Sequence, residues 1–349
     1  MLAVHASLVV TQFCFAGFEI LARIALVDGV DHLVFTLYRN FLASILLLPL
    51  AYFVEKKKRP ALNFKFILRV TINQMCSFFH RVTINQMCYL IGLQYTNTVI
   101  ASALRNLIPV LTFVLATILR VDELDVKKLD GVAKILGTLL GLVGAVLLSS
   151  HHPTVREILR HQFLRRRGDL ELQTSGWELG IGCLLLAFLS FALFLVLQSL
   201  LLKKYAAPFS IGAFSCLFST LQLGIISASF GQASKIWSFW TTSQPRVILS
   251  VLYAGLIGSG FVSGVQSWGV HKGGPVLVAA YQPLETVLVT LFYVFFGGQA
   301  LDPLSMGGIL LVFAGLYLLA WAQRHQRQRK LLLDQSIREP LLDNVVIVE

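Results

Sequence analysis

Roughly ten apolar segments, each about twenty residues long, follow one another along the 349 residues of this chain. About 20 apolar residues in a helix match the ~30 Å hydrocarbon core of a bilayer. Inside lipid the backbone must satisfy its own hydrogen bonds, so spanning segments of this length have to be helices. Hydrophobic residues make up 56% of the chain and charged residues 13%, too little polar surface to coat a soluble globule. The fold class is therefore an all-α membrane protein with about ten transmembrane helices, and its first partner is the lipid bilayer.

The spans read from the sequence are about 4–27, 32–53, 66–92, 98–119, 129–149, 177–200, 208–230, 247–269, 275–297 and 303–322. The first lacks a basic leader and carries Glu19 and Arg23, so it reads as a retained helix. A net charge of +11 would raise nucleic acid as a partner for a soluble protein. Here the charges sort by side instead. With alternating spans, Lys56, Lys57, Lys58, Arg59, Lys127, Lys128, Lys203, Lys204 and the basic tail fall together, opposite Lys235 and Arg246. That bias places both termini in the cytoplasm and argues against nucleic-acid binding. The loop at 150–176 runs against the bias, since Arg156, Arg160, Arg165, Arg166 and Arg167 fall on the far side.

Two internal repeats mark the chain. The octapeptide Arg-Val-Thr-Ile-Asn-Gln-Met-Cys occurs at 69–76 and again at 81–88, which puts Arg69, His80 and Arg81 within the third span. Charges near the bilayer centre cost about 2.5–3.5 kcal/mol each on insertion scales, so this segment reads as a local duplication or a faulty gene model. The second repeat is architectural. Residues 1–149 and 177–322 each hold five spans, separated by the basic loop and followed by a basic cytoplasmic tail at 323–349. Five is odd, so the halves have opposite orientations, as in secondary transporters built from inverted repeats.

Each half carries a proline in its fourth helix, Pro109 after Arg105-Asn106 and Pro283 after Tyr281-Gln282. Proline removes a donor and frees an upstream carbonyl. Matched interruptions in corresponding segments point to a central binding site. Gly137, Gly141 and Gly144 in one half, and Gly307, Gly308 and Gly315 in the other, let helices approach closely. Such faces are compatible with monomers and with dimers, and the oligomeric state stays open.

Ionisable residues inside spans usually face the bundle interior, and here they are Glu19, Arg23, Arg39, Arg105 and Glu285. Glu19 and Arg23 have the spacing of a local ion pair. Arg39 can reach the interface or a site. Arg105 and Glu285 flank the prolines and can meet near the midplane, where the arginine would take a substrate carboxylate. Glu285, with Glu19 second, is the candidate carrier of a coupling proton. The alternative is an Arg105–Glu285 bridge that only closes the bundle. Asn106, Pro109, Gln198, Trp268, Tyr281, Gln282 and Pro283 complete the candidate substrate site. Cys14, Cys76, Cys88, Cys183 and Cys216 read as packing residues, and no cofactor or metal motif stands out.

The strings Tyr38-Arg39-Asn40, Leu48-Pro49-Leu50-Ala51-Tyr52-Phe53 and Glu55-Lys56-Lys57-Lys58-Arg59-Pro60 resemble the plant nodulin-21-like branch of the drug/metabolite transporters. So do Gly92-Leu93-Gln94-Tyr95-Thr96, Arg105-Asn106-Leu107-Ile108-Pro109, Gln266-Ser267-Trp268, Gly273-Gly274-Pro275-Val276 and Tyr281-Gln282-Pro283. Within that branch the chain looks most like the Walls Are Thin group. The resemblance implies two EamA-type repeats and facilitated or proton-linked movement of auxin or amino acids. It also implies a vacuolar membrane, with the plasma membrane as the alternative. Two positions depart from the pattern: Gln299 where the family has a glutamate, and Glu285 where an uncharged residue is expected. The expected function is a secondary transporter. An intramembrane enzyme is disfavoured, because there is no H-E-x-x-H, no G-x-S-x-G and no paired membrane carboxylate in the sequence. A receptor that binds without flux is the remaining alternative.

Overall fold

A computed structural model describes residues 2–28, 30–55, 87–96, 101, 104–121, 128–151, 174–205, 207–229, 231, 236–239, 244–297 and 303–346. Among these every regular element is helical. The first half holds α1 (Leu2–Val27), α2 (His32–Val54), α3 (Met87–Tyr95), α4 (Ile108–Ile118) and α5 (Leu129–His151). In the second half come α6 (Thr174–Lys204), α7 (Pro208–Ser229) and α8 (Pro245–Tyr253), which passes through a π-helical segment (Ala254–Phe261) into α9 (Val262–Gly273). Then follow α10 (Pro275–Ala280), α11 (Gln282–Gly297) and α12 (Pro303–Val346). Among the described residues eight stretches are long and apolar enough to cross a membrane, and α4 is a shorter apolar helix. The first octapeptide copy, most of the second, the basic loop beyond His151 and Gln299 lie outside the described residues.

The bundle wears its apolar side chains outward as well as inward. Ile225, Leu310, Tyr317 and Phe295 are among the large side chains left exposed, as expected where lipid is the solvent. Association cannot then rest on a hydrophobic drive between helices; close packing and polar ties take its place.

The closest seam joins the last helices of the two halves, α5 and α12. A Cβ on Gly137 would lie 2.8 Å from the Gly315 carbonyl oxygen, and one on Gly144 would lie 2.6 Å from that of Gly308. Only glycine permits that backbone approach. The seam uses Gly137, Gly144, Gly308 and Gly315, while Gly307 faces open space.

A second seam joins α2 and α7. Glu55 at the end of α2 is 3% exposed. Its carboxylate accepts from the backbone N–H groups of Phe209 and Ser210 at 2.8 and 2.9 Å, and from the Ser210 hydroxyl. A carboxylate at the positive end of a helix is favoured by the unpaired N–H groups there, so Glu55 caps α7 from another helix.

One element differs from the sequence reading. The eighth span extends over Pro245–Gly273 because its middle is π-helical, a wider coil that accommodates extra residues in one crossing. The basic tail is helical as far as Val346, continuous with the last span in α12. Asp130, in the first turn of α5, holds this extension through His325 at 2.6 Å and Arg329 at 3.0 Å.

Candidate functional site

Both fourth helices break just before the helix that carries the proline, at Asn106–Leu107 and at Tyr281. In the first half Leu107 N–H bonds to Leu104 O at 3.0 Å, and α4 begins with Ile108 and Pro109. In the second, Tyr281 N–H bonds to Val278 O at 3.3 Å, and α11 begins with Gln282 and Pro283. The proline thus occupies the second helical position in each, where its missing N–H costs no hydrogen bond. Each break presents a fresh helix N-terminus inside the bundle, the arrangement that discontinuous transporter helices offer to anionic groups.

Arg105 is the last helical residue before the Asn106–Leu107 turn that leads into α4, and three elements converge on it. Its Nη1 is 3.5 Å from Glu285 Oε1 on α11 and 3.8 Å from Glu19 Oε1 on α1. Its Nη2 donates to Tyr89 Oη on α3 at 3.4 Å. Tight charge-assisted bonds are about 2.7–2.9 Å. All three contacts are looser, and 33% of the Arg105 side chain stays accessible. Glu285 sits in the first turn of α11, where the helix N-terminus favours a carboxylate. The guanidinium therefore holds the two halves together without being saturated by either.

The other candidate residues separate into different environments. Asn106 and Pro109 are buried beside the first break, and Pro283 beside the second, with Gln282 half-buried. Tyr281 shares a hydrogen bond with His5 Nδ1 at 2.8 Å. Trp268 packs against a core cluster that includes Phe194 and Leu195. Gln198 donates to Ser267 Oγ at 2.9 Å, tying α6 to α9. Arg39 lies with its guanidinium carbon 5.2 Å from the ring centre of Phe18 on α1. Glu19 reaches Arg105 across the bundle, and the side chain of Arg23 lies outside what the structure describes. Among the described residues no three His, Cys, Asp or Glu side chains gather as a metal site.

The EamA-like transporter family model matches residues 4–150 and again 178–321. The chain belongs to the EamA-like transporter family. Its relatives include Protein WALLS ARE THIN 1 of Arabidopsis thaliana, 34% identical over 94% of this chain and 85% of that one. An auxin-induced protein of Pinus taeda is 34% identical over 96% of this chain and 82% of its own length. A WAT1-related protein of Arabidopsis thaliana is 36% identical over 96% of this chain and 85% of the relative. One solved crystal structure, 15% identical, superposes with a TM-score of 0.67 over 92% of this chain and 99% of the other. That likeness speaks to the fold alone. The EamA-like chain is accordingly a multi-pass membrane transporter of the WAT1-related type.

Sequence reasoning passed over Tyr89, His5 and Glu55. Tyr89 follows the repeated octapeptide, whose charges obscured the third helix. His5 reads as one polar residue near an end, and Glu55 as the start of a charged loop. Their roles depend on partners 16, 276 and 155 residues away.

Proposed function

We propose that this EamA-like protein is a secondary transporter that alternates access around Arg105, carrying a small organic carboxylate. The observation that supports it most is the unsaturated guanidinium between Glu19 of the first helix and Glu285 of the second half. The rival, a bridge that merely closes the bundle, would call for short bidentate bonds, and the contacts are long. Indole-3-acetic acid is the leading substrate, since a monocarboxylate with a flat apolar body suits an arginine among aromatic side chains. An amino acid is the alternative.

Charge distinguishes the two. One guanidinium facing two carboxylates is neutral when a single proton is shared between them. A monocarboxylate then brings a negative charge that needs one further proton, whereas a zwitterion brings none. Glu285 and Glu19 are the groups that take up that proton. Auxin movement should therefore be driven by a pH gradient, and amino-acid movement should not. The basic segments that fall with the termini support a cytoplasmic location for both ends, and the WAT1-related kinship favours the vacuolar membrane over the plasma membrane. No covalent chemistry is involved and no cofactor is needed for this cycle.

Flux of labelled indole-3-acetic acid and of several amino acids through the purified protein in liposomes, with and without a pH gradient, tests the reading. Saturable, gradient-driven auxin flux is expected. Amino-acid flux alone would transfer the substrate assignment to the alternative. Binding with no flux of either would make the protein a receptor.

A further inference from the structure

His5 is a half-buried polar residue that the transport reading leaves unused. It lies near the start of α1, and its ring is tilted 43° to that of Tyr281 with the centroids 6.0 Å apart. Tyr281 is the single residue between α10 and α11, the hinge of the discontinuous helix. It is 7% exposed. The hydrogen bond of 2.8 Å between His5 Nδ1 and Tyr281 Oη thus spans 276 residues of chain to tie the first helix to that hinge.

The surroundings are built around this tie. All six residues of α10 are buried, making a plug in the bundle next to the hinge. Val4 and Leu8 on α1 share one core cluster with Leu277 and Val278 of α10 and with Tyr281 itself. Gly274, with φ of 86°, turns the chain sharply from α9 into α10, so the plug is anchored at one end by a fixed turn and at the other by Tyr281. The break of the first half is formed instead by Asn106 and Leu107. The His5–Tyr281 tie lies near the start of α1, at the end of the bundle that carries Leu2.

We propose that His5 is a positioning residue for a gate: its hydrogen bond to Tyr281 holds the α10–α11 hinge shut against α1, and must break for the Arg105 site to open toward the end that carries Leu2. This rests on the transporter reading, because a gate has meaning only where a path exists. His5 acts through Tyr281 and need not touch substrate. The orphaned ring nitrogen, Nε2, is buried without a hydrogen-bond partner. A ring with one nitrogen paired and the other unsatisfied is held less firmly than a fully paired one, which suits a contact that opens in every cycle.

The test is the reactivity of a cysteine placed beside the hinge, Ala280→Cys, in the full-length protein with Cys14, Cys76, Cys88 and Cys183 replaced by serine. Native Cys216, buried in the α2–α7 seam, stays as an internal control. Maleimide labelling of residue 280 should quicken about fivefold in His5→Ala, the factor that one net neutral hydrogen bond is worth. Tyr281→Phe should do the same, the double variant should do no more than either, and His5→Gln should restore the slow rate. Cys216 should label at the same rate throughout. An unchanged rate at residue 280, strictly multiplicative single effects, or equal acceleration at Cys216 would overturn the gate. Labelling is read without substrate. Absence of auxin flux therefore leaves this result standing, and failed labelling leaves the transport reading standing.

Discussion

Arg105 meets two carboxylates with one positive charge, and the consequences can be read at single residues. Glu285 is the closer at 3.5 Å and the less accessible of the pair, its side chain 12% exposed against 43% for Glu19. Burial disfavours its charge where the neighbouring guanidinium favours it, so on the transport cycle proposed above Glu285 is the candidate for the coupling proton. Glu285→Gln fixes that position in the uncharged form, so the dependence of auxin uptake on external pH should flatten while amino-acid binding changes little. Uptake measured across pH in liposomes checks this, and a wild-type profile would return Glu285 to a structural role. The sequence made both Arg105 and Glu285 visible, because a charge in an apolar helix is costly and demands a reason. It did not show that Glu19 reaches Arg105, 86 residues further along the chain, because that contact forms only when α1 packs into the bundle.

Helices show a different balance between what the chain reveals and what it hides. Pro109 and Pro283 were legible as matched interruptions, and both mark the second position of a new helix. Hidden was the π-helical stretch Ala254–Phe261, since Ala-Gly-Leu-Ile-Gly-Ser-Gly-Phe has the same apolar small-residue pattern as an ordinary membrane helix. The continuation of α12 was hidden as well, because the run after Gln323 is polar and its hold comes from Asp130, 195 residues before His325. Glu55 supplies the prediction at this scale. Removing a buried carboxylate that satisfies two backbone N–H groups of α7 leaves those donors orphaned. Glu55→Ala should destabilise the protein by about 2 kcal/mol, and Glu55→Gln by less, since one acceptor remains. Unfolding of the detergent-solubilised protein gives the comparison, and equal stability of all three forms would mean that the α2–α7 seam does not depend on the cap.

Across the whole molecule, two EamA-like repeats meet in an apolar bundle, and among the described residues polar contacts such as Arg105–Glu285 and Glu55–Ser210 join them. The α5–α12 seam, where backbones touch through Gly137, Gly144, Gly308 and Gly315, has no room to slide. Motion must then concentrate where packing is interrupted, at the two helix breaks, and Arg105 lies beside the first of them and bonds to the helix that starts at the second. The repeat was legible in the sequence as two sets of spans, and the matched prolines located the breaks. What no sequence pattern could supply was the reach of individual side chains across the interface between the halves. Substrate flux in Arg105→Ala and Arg105→Lys is the most direct measurement of this account, made in liposomes at matched amounts of folded protein. Saturable auxin flux should vanish in Arg105→Ala and fall at least tenfold in Arg105→Lys, which keeps the charge but loses the planar fork. Unimpaired flux in Arg105→Ala would contradict the account, because a transporter that works without that guanidinium binds its substrate elsewhere.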